Sequence, residues 1–214
     1  MDGPIHRLLA NAALYEVVQI AAGSRISDAK MRALIGPVAP GTRILDAGGG
    51  TGILARIFDS GRDYCCMDID LARVRVASAR GASAIQGDVT RMPIATSSID
   101  VVVLRAVSHH LVDEDFMAMV EESRRVLKPN GRLLFMDAIL AGSWLPGRLM
   151  WRIDQGSHPR TEARMTAVLE TQFELERRVT YSVFHRYLLA LGRPRHMPAS
   201  VAAATTTTVA ARSG

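Results

Sequence analysis

Cysteine, aromatic side chains and lysine are all scarce in this 214-residue chain, and each scarcity excludes something. The two cysteines, Cys65 and Cys66, are adjacent in a short apolar run. Neighbouring strand residues point to opposite faces, so the pair is poorly placed to bridge to itself or to share a metal. Two buried thiols in a reducing compartment are the expectation. No cluster of His, Cys and carboxylates has ligand spacing, so no metal is expected. Aromatics are 5% of the residues and no run of five like charges occurs, whereas nucleic-acid binders read as basic stripes with rings placed for stacking. No DNA partner is expected, and RNA ranks behind a small molecule as substrate. Lysine occurs only at Lys30 and Lys128, so arginine carries the positive charge. Every apolar run stays short of the roughly 18 residues that a membrane-spanning helix needs, and no charged segment leading into an apolar one opens the chain. The expectation is a cytoplasmic protein with no membrane span.

What is present is a chain 48% apolar, enough to bury the core of one domain. The formal charge of +5 is uneven: residues 1–40 carry four basic and three acidic groups, 41–140 twelve and thirteen, and 141–214 ten and five. Helical spacing of apolar residues predicts a helix over 5–22 and a shorter one over 27–35, begun by Ser27 or Asp28. Strands are predicted over 43–46, 64–67, 84–86, 99–104 and 132–137, alternating with helices over 53–60, 71–80 and 116–127. The stretch Lys128-Pro129-Asn130-Gly131 reads as a turn. Such alternation means right-handed crossovers and a parallel sheet whose ligand lies beyond the carboxyl ends, where strand order reverses. Residues 141–171 return to helical spacing, 173–179 and 181–191 read as two further strands, and after Gly192 the composition turns to Pro, Ala and Thr.

The strongest local pattern is Asp46-Ala47-Gly48-Gly49-Gly50-Thr51-Gly52, after a strand and before a helix. Glycines at 48, 50 and 52 allow a sharp turn and close approach of a ligand, and the helix behind them aims free N–H groups at it. Two more acids end strands or begin loops: Asp68, in Met67-Asp68-Ile69-Asp70, and Asp88, in Gln86-Gly87-Asp88-Val89. Asp70 fits an N-cap of the next helix. The bland alternative for Asp88 is a turn residue bonding its own backbone.

The pattern Asp46-x-Gly48-x-Gly50-x-Gly52 resembles motif I of the class I S-adenosylmethionine (SAM)-dependent methyltransferases. The nicotinamide pattern G-x-G-x-x-G/A would need glycine or alanine where Ile53 stands. The Asp100 to Leu111 stretch, with Ser108-His109-His110, and the Arg125 to Leu133 stretch are similar to the branch that includes ubiquinone and menaquinone C-methyltransferases. The resemblance covers about residues 41–137. It implies an α/β fold: a doubly wound, Rossmann-like, seven-stranded and mostly parallel sheet with an antiparallel closing strand pair and helices on both faces. It also implies SAM as cofactor, held by Asp46, Gly48, Gly50, Gly52, Asp68, Ile69, Asp88, Val89 and Leu104. Asp68 would take the ribose hydroxyls, Ile69 would lie beside the adenine, Asp88 would accept from the adenine amino group, and the Val89 N–H would meet a ring nitrogen.

His109 and His110 are the candidate general bases, since imidazole takes a proton near neutral pH. A base is optional, because the sulfonium of SAM is already a strong electrophile. The domain expectation is an N-terminal helical cap over 1–40, a methyltransferase domain over 41–192 with a lid or substrate insertion at about 141–171, and a disordered tail over 193–214. Tyr15 on the cap, and Trp144, Trp151, Arg148, Arg152, His158, Arg160 and Arg164 in the insertion, are candidates for acceptor contacts; anchoring of the lid or a solvated helix face explains them as well. The expected activity is methylation of O, N or C on a small molecule by a monomer or homodimer. Methylation of RNA or protein, a SAM-binding module without catalysis, and a nicotinamide oxidoreductase are the alternatives.

Overall fold

The computed structural model describes residues 24–58, 63–140, 158–183 and 185–196. The expected helix over 5–22 with Tyr15, the four residues Trp144, Arg148, Trp151 and Arg152, and the tail from 197 lie outside the described residues.

Seven strands form one sheet: β1 (Arg43–Ala47), β2 (Asp63–Asp68), β3 (Ser83–Gln86), β4 (Ile99–Arg105), β5 (Leu127–Ile139), β6 (Phe173–Ser182) and β7 (Arg186–Pro194). Their order is β3-β2-β1-β4-β5-β7-β6. The first five are mutually parallel, and β7 runs antiparallel between β5 and β6. Strand order reverses between β1 and β4, so the ligand crevice of such a sheet opens at the carboxyl ends of these two strands.

Helices α1 (Ser24–Ile35), α2 (Leu71–Ala79), α3 (Asp113–Val126) and α4 (Glu162–Leu169) flank the sheet. Strand alternation sends neighbouring residues of β4 into two separate cores. Val102 and Leu104 pack with Phe116, Met119, Phe135, Met165 and Leu169, while Val101 and Val103 pack with Met31, Leu34, Ile35 and Leu189.

Several sequence expectations are corrected. Helix α1 begins at Ser24, because Ser27 and Asp28 are not caps: they are buried within it, bonded to Tyr181 and to Arg56 and Arg105. The helix expected over 53–60 is a 3-10 turn, Ile53–Ile57. Helix α3 starts three residues before Phe116, since Asp113, Glu114 and Asp115 place negative charge at the positive end of its dipole. Strand β5 already pairs at Leu127, with Ile99, and the residues 128–131 are taken up in a register shift before Arg132 pairs with Val101. The expected tail begins too early: β7 runs to Pro194, which pairs with Phe173, and the Arg195 amide donates to the Gln172 carbonyl. The described end of the expected lid is core, for Met165, Val168 and Leu169 of α4 are buried.

Among the described residues no helix is long and apolar enough to cross a membrane, and no group of three or more metal-ligating side chains forms.

Candidate cofactor site

The carboxyl ends of β1, β2, β3 and β4 converge at the reversal of strand order. The loop after β1 turns through positive φ at Gly48, Gly50 and Gly52 (75°, 58° and 73°), a region that side chains with a Cβ rarely adopt. The glycines nevertheless serve different neighbours. A Cβ on Gly48 would lie 2.5 Å from Val107 Cγ2, one on Gly49 would strike the Asp46 carboxylate and Cys66 Sγ, and one on Gly52 would press on Ala77 of α2 at 3.1 Å. Those three allow the protein to close on itself. Among the described residues, Gly50 is the loop glycine whose Cβ would meet nothing within 4 Å.

Asp68, at the end of β2, ties the next loop to this one. It is 5% exposed; its Oδ2 accepts from the Gly50 amide at 2.8 Å and its Oδ1 from the Asp70 amide at 2.9 Å. Each carboxylate oxygen has a second lone pair to offer. Asp70 caps α2, accepting from the Ala72 amide at 2.8 Å, as its position in the sequence implies. Ile69 between them is 66% exposed, its carbonyl held by Gln86 Nε2. The third loop is joined through the Gly87 amide, which donates to the Asp68 carbonyl. There Asp88 is exposed and takes the turn alternative: Oδ1 accepts from both the amide and the hydroxyl of Thr90. The Val89 side chain is buried, and its amide donates to no group among the described residues.

Asp46 lies beneath the loop, 1% exposed. Tyr64 donates its hydroxyl to Oδ2, while Oδ1 has no partner among the described residues. Burial pushes this carboxyl up to about 6, against the opposing pull of the Tyr64 hydrogen bond and of the Arg105 charge. Burial likewise raises the Cys66 thiol, to about 12, and the Asp46 charge adds to it, so the thiol next to the loop stays protonated. Arg105 is itself held by Asp28 at 2.9 Å, and Arg56 shares the same carboxylate.

After β4 the chain turns through Ala106, a non-glycine residue at φ 55°, the kind of strain that gathers at functional sites. A 3-10 turn, Ser108–His110, follows. Asp137, at the end of β5, is completely buried and gathers this turn. Its Oδ2 accepts from the Ser108 amide (2.7 Å), the Ser108 hydroxyl (2.6 Å) and the His109 amide (3.3 Å). Its Oδ1 takes His109 Nδ1 at 2.6 Å and the Ala138 amide at 2.7 Å. Burial alone would raise the Asp137 carboxyl, but His109, Ser108 and the Ala138 amide together hold it below the usual carboxylate range. A carboxylate only accepts, so Nδ1 carries the His109 proton. His110 is exposed, its ring 4.1 Å from that of His109.

The structure thus brings Asp46, Gly48, Gly50, Gly52, Asp68, Ile69, Asp88 and Val89 to the neighbouring carboxyl ends and loops of β1, β2 and β3, with His109 and His110 on the loop after β4. Leu104 is a correction: it points into the α3 core, 1% exposed, and has no surface to offer a ligand. Arg160 is reassigned, since it is buried and pairs with Asp113, while Arg164 shares that carboxylate and remains half exposed. Arg160 is 5% exposed, lies over the Phe116 ring and donates to the Ser108 and Leu111 carbonyls, both at 2.6 Å, so it clamps the loop after β4. Arg160→Ala should lose about 2 kcal/mol of stability, since hydrogen bonds to charged groups are worth about 1.5–3 kcal/mol; a chemical denaturation curve measures this.

Sequence reasoning missed Tyr64, Arg105, Asp137 and the clamp of Arg160. Asp137 had a signal, as an acid within the apolar run 133–139 must be bonded by several donors to be buried.

Residues 45–135 match the methyltransferase domain family. A demethylmenaquinone methyltransferase of Corynebacterium urealyticum is 34% identical over 97 residues, which are 45% of this chain and 41% of that protein. One of Mycobacterium sp. is 32% identical over 98 residues, 45% and 42% of the two chains. The chain thus aligns with less than half the length of these curated relatives. Among solved structures, a TehB-like SAM-dependent methyltransferase from Corynebacterium glutamicum superposes with a TM-score of 0.66 at 21% identity, covering 90% of this chain and all of that one. A geranyl diphosphate methyltransferase in complex with SAM superposes with a TM-score of 0.67 at 14% identity, covering 89% and 95%. These likenesses are of fold, and the sequence match lies on the same segment that carries the glycine loop and the two acids after it. Residues 45–135 are thus similar to the methyltransferase domain family, and the fold is one that SAM-dependent methyltransferases share.

Proposed function

We propose that the protein transfers the methyl group of SAM to oxygen, nitrogen or carbon of a small molecule. The single observation that carries this reading is the Gly50–Asp68 hydrogen bond, which joins the ends of β1 and β2 around a loop glycine that, among the described residues, faces open space. The residues present fit the cofactor. The unpartnered Asp46 Oδ1 suits a cationic donor, Asp68 has lone pairs for two hydroxyls, and Ile69 presents exposed apolar surface. The Val89 amide is left to donate and the second oxygen of Asp88 to accept.

When bound, SAM supplies an electrophilic methyl on a sulfonium. The protein's part is to orient the acceptor in line with it and to exclude water, and orientation alone can contribute several kcal/mol. A protic acceptor would have one proton to lose on methylation. With Nδ1 committed to Asp137, any proton taken by His109 enters at Nε2. A small acceptor is supported by the demethylmenaquinone methyltransferase relatives and by the low aromatic content. Incubating the protein with isotopically labelled SAM and cell extract, followed by mass spectrometry, should reveal one labelled metabolite. Label in RNA or protein, or tight binding with no transfer, would replace this reading.

A further inference from the structure

Tyr64 lies opposite Ile44 on β2, and its ring packs near Phe58 with 6.2 Å between centroids. Its hydroxyl donates to one oxygen of Asp46, and the other oxygen of that buried carboxylate is unpartnered among the described residues. Buried polar atoms are nearly always bonded, so an exception beside an open loop calls for a missing donor. The groups facing Asp46 are Tyr64, Cys65, Cys66 and Asp68 of β2 and Arg105 of β4. The Arg105 guanidinium is committed to Asp28, which Arg56 shares. None of these groups donates to Oδ1. SAM carries one cationic N–H donor, its α-ammonium, since the sulfonium has no hydrogen to give.

We propose that Tyr64 is a positioning residue for the cofactor's ammonium group: by engaging Asp46 Oδ2 it fixes that carboxylate so that Oδ1 is left to accept the ammonium. The inference rests on the proposed function. Tyr64 does two things at once. It sets the rotamer of Asp46, and it favours the ionised form, working against the burial that raises the carboxyl to about 6. A cation binds the ionised form, so below that value binding has to expel a proton from Asp46 and weakens as pH falls.

The test is calorimetric titration of the full chain with SAM and with methylthioadenosine, which lacks the ammonium, between about pH 5 and 8, with changes in thermal melting followed alongside. Wild type should bind SAM about tenfold more weakly per pH unit below the inflection, releasing a proton to buffer, and methylthioadenosine with little pH dependence. Tyr64→Phe keeps the ring and should move the inflection upward and weaken SAM about fivefold at pH 7, with methylthioadenosine unchanged. Asp46→Asn should abolish the pH dependence and lose about tenfold in SAM affinity at neutral pH. Unaltered SAM affinity and inflection in Tyr64→Phe overturn the proposal, as does an equal loss of both ligands, which would mean a merely structural tyrosine. Failure of wild type to bind SAM at any pH would instead overturn the proposed function.

Discussion

Asp137→Ala should destabilise the fold by about 3–5 kcal/mol, the cost of leaving several buried donors without the carboxylate that holds them. The side chain accepts on both oxygens from Ser108, His109 and Ala138. Alanine leaves those donors buried with nothing to bond. Asparagine should do almost as badly, because whichever way its amide turns, an NH2 group faces N–H or O–H donors. The sign with pH follows from the shift. The folded carboxyl is held below its usual value, so its contribution is present above the unfolded pKa of about 3.9 and is lost as pH falls through the folded value. Urea unfolding of both proteins should show a constant gap at neutral pH that closes only below about pH 4. A gap under 1 kcal/mol at pH 7 would mean that the loop after β4 is held by something other than Asp137.

Gly50→Val should lower SAM affinity at least tenfold, about 1.4 kcal/mol, in a protein that still folds. A Cβ there meets nothing within 4 Å among the described residues. It therefore fills the space assigned to the cofactor, while a branched side chain at φ 58° costs about 1–3 kcal/mol of backbone strain. Gly48→Ala is the informative contrast. Its Cβ would lie 2.5 Å from Val107, so its main effect should be on melting temperature. If Gly48→Ala damaged binding alone and Gly50→Val damaged stability alone, the two glycines would have been given the wrong roles.

The parallel sheet and its crevice were legible in the sequence because they rest on local patterns. Periodicity marked five strands with helices between them, and the Asp46 to Gly52 loop, Asp68 and Asp88 each follow a strand at the same edge. Asp70 was readable as a cap because capping needs only the next two residues. What the sequence concealed depends on contacts between distant segments. That Gly48 serves Val107, or that Arg160 clamps Ser108, requires knowing which loops become neighbours. Leu104 was misread for the same reason: the alternation of β4 sends it into one of two cores, and only the packing of α3 decides that this face is closed. The early end assigned after Gly192 came from the Pro, Ala and Thr composition there, although Pro194 still lies at the end of β7 opposite Phe173.

The central claim is that the loops after β1, β2 and β3 form one nucleoside-binding crevice. A crystal structure of the protein grown with S-adenosylhomocysteine tests it most directly. The prediction is a ligand with its amino-acid end over Gly50 and Asp46, its ribose hydroxyls on Asp68, and its adenine between Ile69 and the Asp88-Val89 turn. Clear density for the ligand at any other place, or a crevice that stays empty at saturating concentration, would contradict it.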